Sequence, residues 1–564
     1  MSAIDWVVLA SSLVFIVVYG VLRGGKNEDV SSYLLAGREM RWRSITLSIM
    51  ATQASAITFL STPGQAYADG MRFVQFYLGL PLAMILLAIF AAPAYHRLRL
   101  FTAYEFLETR FDLKTRALTS FLFLVQRGLA AGLTIYAPSL ILSVILGWDI
   151  HITTAIMGGM VIVYTTTGGA RAVNRTQNQQ VLIILLGMAA AAVVIVRALP
   201  PGVSFLDALQ VAGKAGRLNA IDTSVDLTSR YTLWSGLIGG MFLALSYFGT
   251  DQSQVQRYLT ARSAAESRLG LLANGMLKVP MQFGILLIGA MVFAYFHFVP
   301  PPVFFNPVEV ARVRQSPAGD RFAQVERDYE EAVEERARAS TEMIDAMRGG
   351  RQEDIAEAER FFRKTSARAA QVRAEAVEII GKSDPSANPV DTNYVFLNFV
   401  VNHLPAGIVG LVLAAVFAAA MSSTSAELNA LASCTVVDVY RRLFRRDAPE
   451  GRALLVSRLS TAFWGVFAVG FAEYAGRLGS LVEAVNVLGS LFYGTILGIF
   501  VSAFFVRRAS GTSTCLAALA AEAAVLACFF FTGISFLWYN VFGCAIVVSL
   551  SWALSRRSPS SAAQ

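Results

Sequence analysis

Long apolar runs recur along the whole chain, from Ile4 to Leu554, and they constrain the fold more than any other feature of the sequence. A helix of about twenty residues, rising about 1.5 Å per residue, crosses the ~30 Å hydrocarbon core of a bilayer. Charged residues make up only 15% of the 564, whereas a soluble domain carries about a quarter. Strands of a membrane barrel alternate apolar and polar residues, and these runs do not. The sequence therefore predicts an all-α integral membrane protein.

Thirteen such runs are separated by polar or basic segments, and we interpret each as one transmembrane helix. They cover residues 4–22, 45–64, 74–95, 117–145, 151–167, 179–199, 233–250, 271–298, 405–432, 453–472, 479–505, 512–531 and 536–554. The chain is thus expected to cross the membrane many times and to contact membrane lipids.

The distribution of lysine and arginine between the loops predicts the orientation of these helices. With the N-terminus outside and the C-terminus inside, the inner loops carry 25 Lys and Arg residues, and the outer loops carry six apart from one long insertion. Cytoplasmic loops are enriched in these residues, so we expect this orientation in the cell inner membrane. The net charge of +8 is then an orientation signal, and no nucleic-acid partner is expected.

The long insertion, residues 305–391, holds 14 Lys and Arg and 18 Asp and Glu, and it predicts a helical hairpin outside the membrane. Two helices are expected on either side of Gly349-Gly350, with Phe322 and Tyr329 on one apolar face. A hairpin of this length could project about 40 Å from the membrane. It is either a solvated hairpin without a site or a contact surface for an external partner or a second copy.

Two spans contain small and polar residues at membrane depth and are expected to be broken helices. The span 45–64 contains the sequence Ala51 to Ala56, and the span 233–250 ends in Ser246 to Thr250. Backbone groups freed at such a break must be satisfied by a cavity, a ligand or an ion. Both breaks are therefore candidate binding sites.

The two broken spans are the second and the seventh, which suits a core of two inverted repeats with five helices each. An odd number of helices per repeat starts the second copy from the opposite side of the membrane. The resulting division of the chain is a leading helix with a cytoplasmic linker (1–44), a first repeat (45–199), an external loop (200–232), the first two helices of a second repeat (233–304), the hairpin insertion (305–391), the rest of the second repeat (392–505), and two accessory helices with a cytoplasmic tail (506–564).

Four consecutive hydroxyl residues, Ser422 to Ser425, lie deep in the span 405–432. Hydroxyl and carbonyl oxygens are hard ligands of the kind that sodium requires, and carbonyls freed at a neighbouring broken helix would complete such a site. Alternatively, these serines and the preceding alanines line a close contact between helices. Composition alone leaves both interpretations open.

Six motifs, in order along the chain, resemble those of the sodium:solute symporter family, which includes sodium/glucose, sodium/proline and sodium/iodide carriers. They are Tyr33 to Arg38; Ser55 to Leu60; Thr102 to Glu108 with Arg110 to Asp112; Tyr164 to Gly169 with Ala172 and Val173; Asp251 and Gln252 with Gln256 to Leu259; and Ala419 to Ser423 with Leu428, Asn429 and Asp438 to Tyr440. The resemblance covers the chain apart from the insertion, and the sialic acid carriers look most similar. It implies a five-plus-five inverted-repeat core that works by alternating access.

The resemblance also implies a sodium site between the first and the eighth helices of this core. Its ligands would be the backbone carbonyls of Ala51, Ala54 and Ala419 and the hydroxyls of Ser422 and Ser423. Sodium is thus the expected coupling ion.

A second sodium site, present in some relatives, is not expected here. The resemblance places its aspartate at Gln177 and its last serine at Ala426. Neither residue supplies the charge or the hydroxyl that those relatives use. We therefore expect one sodium ion per transport cycle.

Substrate contacts are also assigned by the resemblance. The expected residues are Gln53, Ser55, Thr58, Gln75, Phe76, Arg127 and Phe248. Gln75 and Phe76 are both retained because the register of their helix is ambiguous by one residue. Phe248 is expected to close the cavity.

Arg127 lies about eleven residues into its span, so a helix would hold it ~16 Å deep. An arginine there costs at least ~2.5–3.5 kcal/mol on insertion scales, and it should face a cavity or an anion. The sialic acid carriers hold a carboxylate with an arginine of this helix, although ungapped counting places theirs at Ala130. Arg127 could bind a substrate anion, pair with Glu427, or snorkel to the surface, as Lys278 is expected to do.

Together these features predict a sodium-coupled secondary active transporter that imports a small organic solute, with an organic anion such as a carboxylate as the expected class. The alternatives are a sodium-coupled carrier of a sugar or another neutral solute, and a transporter-like membrane sensor. The sequence contains no evident nucleophile–base pair, metal cluster or phosphate loop, so an enzyme is not expected.

Overall fold

The structure, a computed structural model, describes residues 1–24, 34–35, 38–384, 387–446 and 448–557. These residues form helices and no β-strand, as expected for an all-α protein. The α-helices are α1 (Ala3–Gly24), α2 (Trp42–Gln53), α3 (Ala56–Asp69), α4 (Leu80–Ile89), α5 (Ala91–Leu98), α6 (Glu105–Arg110), α7 (Leu113–Leu146), α8 (Ile150–Arg197), α9 (Phe205–Lys214), α10 (Gly240–Gly249), α11 (Gln252–Leu259), α12 (Ala264–Phe298), α13 (Pro307–Arg314), α14 (Gly319–Gly349), α15 (Gln352–Ser383), α16 (Thr392–His403), α17 (Ile408–Cys434), α18 (Glu450–Ala475), α19 (Leu481–Phe505), α20 (Gly511–Phe531) and α21 (Phe536–Arg557). Tyr33, Ala36 and Gly37 of the first motif, with parts of the predicted linker and tail, lie outside the described residues.

The apolar helices have the length that a membrane requires. Within the described ranges, ten helical stretches are long and apolar enough to cross a bilayer, and shorter apolar helices cover Ala3–Ile16 and Ser235–Gly249. The predicted span 45–64 is divided between α2 and α3, and the stretch Ala56–Leu98 continues through the predicted span 74–95. A multi-pass helical membrane protein is therefore supported, while the count of thirteen spans stays a prediction.

Helix α8 is 48 residues long, which a straight helix would extend to about 72 Å. However, the Tyr164 hydroxyl lies 2.7 Å from the Thr176 hydroxyl, whereas twelve residues of straight helix separate Cα atoms by ~18 Å. Side chains of this size cannot close that gap, so the helix bends sharply between them. Its apolar arms, Ile150–Thr167 and Thr176–Arg197, correspond to two predicted spans.

Both predicted helix breaks are present. Helix α2 ends at Gln53 and α3 begins at Ala56, because Ala54 leaves the helical conformation at φ −85° and ψ 75°. Helix α10 ends at Gly249, and the Asp251 side chain accepts a hydrogen bond from the Ser253 amide to start α11. Each break exposes backbone groups inside the protein, where the two motifs had suggested binding sites.

Helix α17 lies at the centre of the bundle, since nearly all its residues from Val409 to Cys434 are buried. It packs against α1, α2, α7 and both arms of α8. Small alanine and serine side chains allow such close helix contacts. The hydroxyl run Ser422 to Ser425 consequently faces protein on every side and not lipid.

The insertion forms the expected hairpin of α14 and α15, with Gly350 at its tip in the left-handed conformation (φ 76°). Phe322 and Tyr329 are buried between its helices and the loop around Val303 and Phe304. The expected apolar face is therefore correct.

The hairpin does not project from the membrane domain, and this expectation was wrong. Near its tip, Arg348 donates to the Gly202 carbonyl and pairs with Asp207. Halfway along α14, Arg336 donates to the Phe296 carbonyl at 2.8 Å. These bonds hold the hairpin along the end of the bundle formed by α9 and α12.

Side chains from two predicted inner loops, 96–116 and 433–452, meet at the opposite end of the bundle. Arg116 donates to Asp438 and to Glu108 at 2.8 Å each, and Arg442 pairs with the same glutamate. The Thr102 hydroxyl also donates to Asp438 at 2.8 Å. This cluster links two of the motifs and places predicted inner segments on one face, although the sidedness itself stays a prediction.

Candidate functional site

A cavity of about 100 Å³ lies beside both helix breaks. This volume is several times what one water molecule needs. Its lining residues are Thr52, Gln53, Ser55, Ile57, Thr58, Phe76, Tyr77, Leu80, Arg127, Thr134, Gly240, Leu243, Ala244, Tyr247, Phe248, Glu427, Val482, Val485, Asn486 and Tyr493. Aromatic and aliphatic walls with a few polar groups are typical of a small-molecule site.

The structure brings most of the predicted substrate residues together in this central cavity. Gln53 and Ser55 flank the break between α2 and α3, and Thr58 lies one turn further along α3. Phe76 and Phe248 approach from the segment before α4 and from α10. Their contact with a substrate stays a prediction, but their placement fits it.

Gln75 is the exception among the predicted residues. Its side-chain amide donates to the Tyr231 carbonyl at 2.9 Å, and its carbonyl oxygen accepts from the Asp222 amide at 2.9 Å. Both bonds hold the external loop, and Gln75 does not line the central cavity. Of the two residues left open by the register, the structure thus favours Phe76.

Arg127 lines the cavity, but its guanidinium already has two anionic partners. One nitrogen donates to Glu427 at 3.0 Å, and Nε donates to Asp251 at 3.1 Å. A further nitrogen pairs with Asp251 and donates to the Tyr493 hydroxyl at 2.6 Å. The ion pair with Glu427, one of the alternatives from the sequence, is therefore present, and Arg127 does not snorkel.

Asp251 was not recognised as a partner of Arg127 by the sequence reasoning. It lies in a quoted motif directly after the second helix break, where an acidic residue at membrane depth is a usable signal. One of its oxygens caps α11 through Ser253, and the other receives Arg127. The helix break and the buried arginine are thus coupled by one carboxylate.

The central charges are not balanced one to one. A single guanidinium faces two carboxylates, and Glu427 Oε2 is buried with no hydrogen-bond partner in the part of the chain that the structure describes. Formally, Arg127, Asp251 and Glu427 carry one excess negative charge. We call these three residues the central ion cluster.

The cavity also contains polar and aromatic residues that sequence reasoning missed. Tyr247 lies under the Arg127 guanidinium, 5.4 Å from ring centre to Cζ, and its ring contacts Phe248. Asn486 and Tyr493 come from α19, whose sequence reads as a plain apolar span. Seven residues correspond to about two helical turns, so their spacing was the signal from which a shared helix face could have been predicted.

Sodium ligands were predicted at the first break, and three of the five groups meet there. The hydroxyls of Ser422 and Ser423 both approach the Ala51 carbonyl, at 3.2 and 3.3 Å. Ala54 and Ala419 are buried nearby, respectively at the break and one turn before the serines. Neutral oxygens from two helices converge here, which suits a monovalent hard cation.

The predicted absence of a second sodium aspartate has a structural counterpart. Gln177, from the second arm of α8, accepts a hydrogen bond from Ser48 and donates to the Thr52 hydroxyl at 3.1 Å. The Ser425 hydroxyl donates to the Ser422 carbonyl at 3.1 Å. The Gln177 amide therefore cross-links α8 to α2, and the single sodium site stays a prediction.

Lys278 was expected to snorkel to the surface, and this expectation was wrong. Its side chain is fully buried, and its Nζ lies 5.7 Å from the centre of the Tyr77 ring. Helix α12 packs against α2, α3 and α4, so the lysine has no path to the bilayer surface.

A family model described as the sodium:solute symporter family matches residues 33–316 and 376–520 of this chain. The unmatched segment between them contains α14 and most of α15. The match therefore covers most of the apolar helices on both sides of the hairpin, but not α1, α21 and the second half of α20.

Curated relatives are transporters and not enzymes. The sodium-dependent multivitamin transporter of Oryctolagus cuniculus is 26% identical over 510 residues, 89% of this chain and 66% of its own length. The sodium-coupled monocarboxylate transporter 1 of Mus musculus is 26% identical over 499 residues, 88% of this chain and 68% of its own. The human sodium/iodide cotransporter is 30% identical over 255 residues, 45% of this chain and 39% of its own. The chain thus spans about two thirds of the length of the first two.

Two solved structures share the fold. A sodium-coupled sialic acid symporter in a substrate-bound outward-open state superimposes with a TM-score of 0.76, covering 99% of this chain and 98% of that one at 23% identity. A transporter of the nucleobase-cation-symport-1 family in a closed conformation gives a TM-score of 0.50, covering 94% and 95% at 12% identity.

Proposed function

The chain belongs to the sodium:solute symporter family, and from this premise we propose that it imports a small organic solute in symport with sodium. Alternating access around the central cavity would move both, in a core of two inverted five-helix repeats. The N-terminus would lie outside and the C-terminus inside the cell inner membrane, as the basic residues of the loops predict.

One observation carries the coupling of ion and solute. The carbonyl of Ala51, in the last turn of α2, faces the Ser422 and Ser423 hydroxyls, while Gln53 and Ser55, at the break that follows, line the central cavity. An ion bound at Ala51 would fix the conformation of this segment and so pre-form the solute site. By linkage, a bound solute would strengthen sodium binding to the same extent.

The charges of the central ion cluster favour a neutral polar solute. Gln53, Thr58 and Asn486 offer amide and hydroxyl groups beside aromatic walls, and such groups suit a sugar or another uncharged solute. Arg127 is already neutralised by Asp251 and Glu427. A neutral ligand would disturb none of these charges.

An organic acid is the second candidate, favoured by the position of Arg127 in the cavity wall and by the monocarboxylate transporters among the relatives. An arginine holds a carboxylate with two parallel hydrogen bonds. Here the incoming carboxylate would have to replace Glu427 on Arg127, and Glu427 would take up one proton from solution. Otherwise three carboxylates would face one guanidinium.

The sodium assignment is tested by uptake into vesicles. The double substitution Ser422→Ala with Ser423→Ala removes two proposed oxygens, so the sodium concentration for half-maximal uptake should rise about tenfold or more, a loss of ~1.4 kcal/mol. Ser433→Ala removes a hydroxyl from the same helix about 15 Å away and should leave that concentration unchanged. Unchanged sodium activation in the double variant would reject the site.

The two substrate classes are separated by a panel of labelled sugars, polyols and carboxylates, with and without a sodium gradient. Arg127→Gln combined with Glu427→Gln removes one positive and one negative charge. A neutral substrate should still be carried by this double variant, whereas a carboxylate should lose binding. In addition, Arg127→Lys keeps the charge and loses the paired hydrogen bonds, so it should raise KM for a carboxylate only.

A further inference from the structure

A second cavity, of about 340 Å³, lies between the hairpin and the membrane domain, and we call it the hairpin cavity. Its lining is strongly basic: Lys214 and Arg217 come from the external loop, and Arg336, Arg363 and Arg373 come from α14 and α15. Three of these five cations thus belong to the hairpin, in the segment that the family model does not match.

Some of these cations have anionic partners. Arg373 donates to both oxygens of Asp391 at 2.7 Å. Glu359 pairs with Lys214 at 2.9 Å and with Arg363 at 2.5 Å, and Lys214 lowers the pKa of the Glu359 carboxyl. Among the described residues, two carboxylates therefore serve three cations, and neither carboxylate lines the cavity.

Two arginines that line the hairpin cavity each retain a buried nitrogen without an acceptor among the described residues. Arg336 is only 8% exposed, and its Nε, like that of Arg217, is buried with no acceptor among the residues the structure describes. The Arg217 guanidinium rests 4.8 Å from the centre of the Phe293 ring, and burial lowers its pKa even though Asp69 acts against this. Ser366 supplies a third buried donor without an acceptor.

These donors define a ligand chemistry. Buried donors without acceptors are costly, and a charged acceptor satisfies them best. Among the described residues, five cations line the hairpin cavity, and they exceed the three carboxylates that act on them even when Asp69 is counted with Glu359 and Asp391. The unsatisfied donors and the excess of positive charge therefore both favour an anionic ligand.

We propose that the hairpin cavity binds a small anion, such as a carboxylate or an inorganic anion, on Arg217, Arg336 and Ser366. This site is separate from the central cavity, because Tyr67 at its wall lies nine residues beyond Thr58 along α3, roughly 13 Å away. It does not rest on the proposed transport function. The insertion thereby gains a binding role in addition to its structural one.

The anion site is tested on purified full-length protein in lipid nanodiscs. Acetate is followed by saturation-transfer difference NMR and chloride by chloride-35 line broadening, both without sodium. Saturable binding of at least one probe is expected. Tighter binding of acetate identifies organic acids as the natural ligand class, and tighter binding of chloride identifies inorganic anions.

Two substitutions should weaken this binding about ten- to a hundredfold, the loss expected for charge-assisted hydrogen bonds. Arg336→Gln removes a donor, and Ala370→Glu adds a carboxylate to the exposed cavity wall without removing a buried group. Ala370→Gln is the matched neutral control, and Arg338→Gln changes an exposed arginine one half-turn along α14.

Binding at the central cavity is distinguished by the Ala370 pair, because Ala370 lines the hairpin cavity and not the central one, so Ala370→Glu would not weaken an anion bound centrally. The proposal is overturned if neither probe binds saturably to the wild-type protein. It is equally overturned if Ala370→Glu binds acetate and chloride as tightly as Ala370→Gln does.

Discussion

We predict the order in which three substitutions, each removing one charge of the central ion cluster, lower the free energy of unfolding. Arg127 is 2% exposed and contacts both Asp251 and Glu427. Arg127→Gln would leave two buried carboxylates without a cation. Breaking a buried ion pair in this way costs about 3–5 kcal/mol, so this variant should be the least stable.

The two carboxylates are expected to differ. Asp251→Asn removes the negative charge that faces two Arg127 nitrogens but leaves the pair with Glu427, so a loss of about 1–3 kcal/mol follows. Glu427→Gln removes the excess negative charge, and one oxygen of Glu427 has no hydrogen-bond partner within the described ranges. Its cost should stay below ~1 kcal/mol, since the Arg127–Asp251 pair remains.

Unfolding by sodium dodecyl sulfate in mixed micelles measures these differences for each purified variant. Arg458→Gln, at an exposed position on α18, controls for the loss of an arginine. The double variant Arg127→Gln with Glu427→Gln should recover part of the stability that Arg127→Gln loses. The reasoning is refuted if Glu427→Gln is as destabilising as Arg127→Gln, because Glu427 would then be an essential counterion and not the excess charge.

Three further predictions concern stoichiometry, pH and the hairpin. Wild-type uptake should show a Hill slope near one for sodium, and Gln177→Asp with Ala426→Ser should raise it; a wild-type slope near two, confirmed by reversal potentials, would contradict the single-ion scheme. Arg442 holds the pKa of the Glu108 carboxyl at about 2, below the ~4.3 of a glutamate in the unfolded chain. The ion pair should therefore add a constant amount to the free energy of unfolding above pH ~4.3, and this contribution should be lost as the pH falls from there toward 2. The melting difference between wild type and Glu108→Gln should therefore stay constant from about pH 8 to 5.5, and a difference that shrinks within that range would count against the ion pair. Arg348→Gln, which breaks a half-exposed contact at the hairpin tip, should cost at most ~1 kcal/mol, as measured by thermal unfolding.

The sequence alone determined the features that depend on local composition. Apolar runs long enough to cross a bilayer need no tertiary information, and neither do the interruptions at Ala54 and Gly249 or the turn at Gly350. The first break was expected beside a cavity for the same reason, whereas Gln53 and Ser55 were assigned to that cavity by the family resemblance, and both line it. Polar groups at membrane depth must be satisfied by a cavity, a ligand or an ion, so a local polar segment is enough to predict such a site.

Only the tertiary structure decided which side chains meet. Arg127 and Asp251 are 124 residues apart. The sequence offered Glu427 as a partner of Arg127, but nothing near either residue indicated that Asp251 is a second partner. The same holds for Gln75, which binds the external loop, and for Lys278, whose exit is blocked by neighbouring helices. The hairpin shows the limit most clearly, because its amphipathic pattern predicted two paired helices but not where they lie. Bonds from Arg348 near its tip and from Arg336 halfway along α14 hold it against the membrane domain. Pairing of distant segments depends on how whole helices pack, and that information is not carried by any single stretch of the chain.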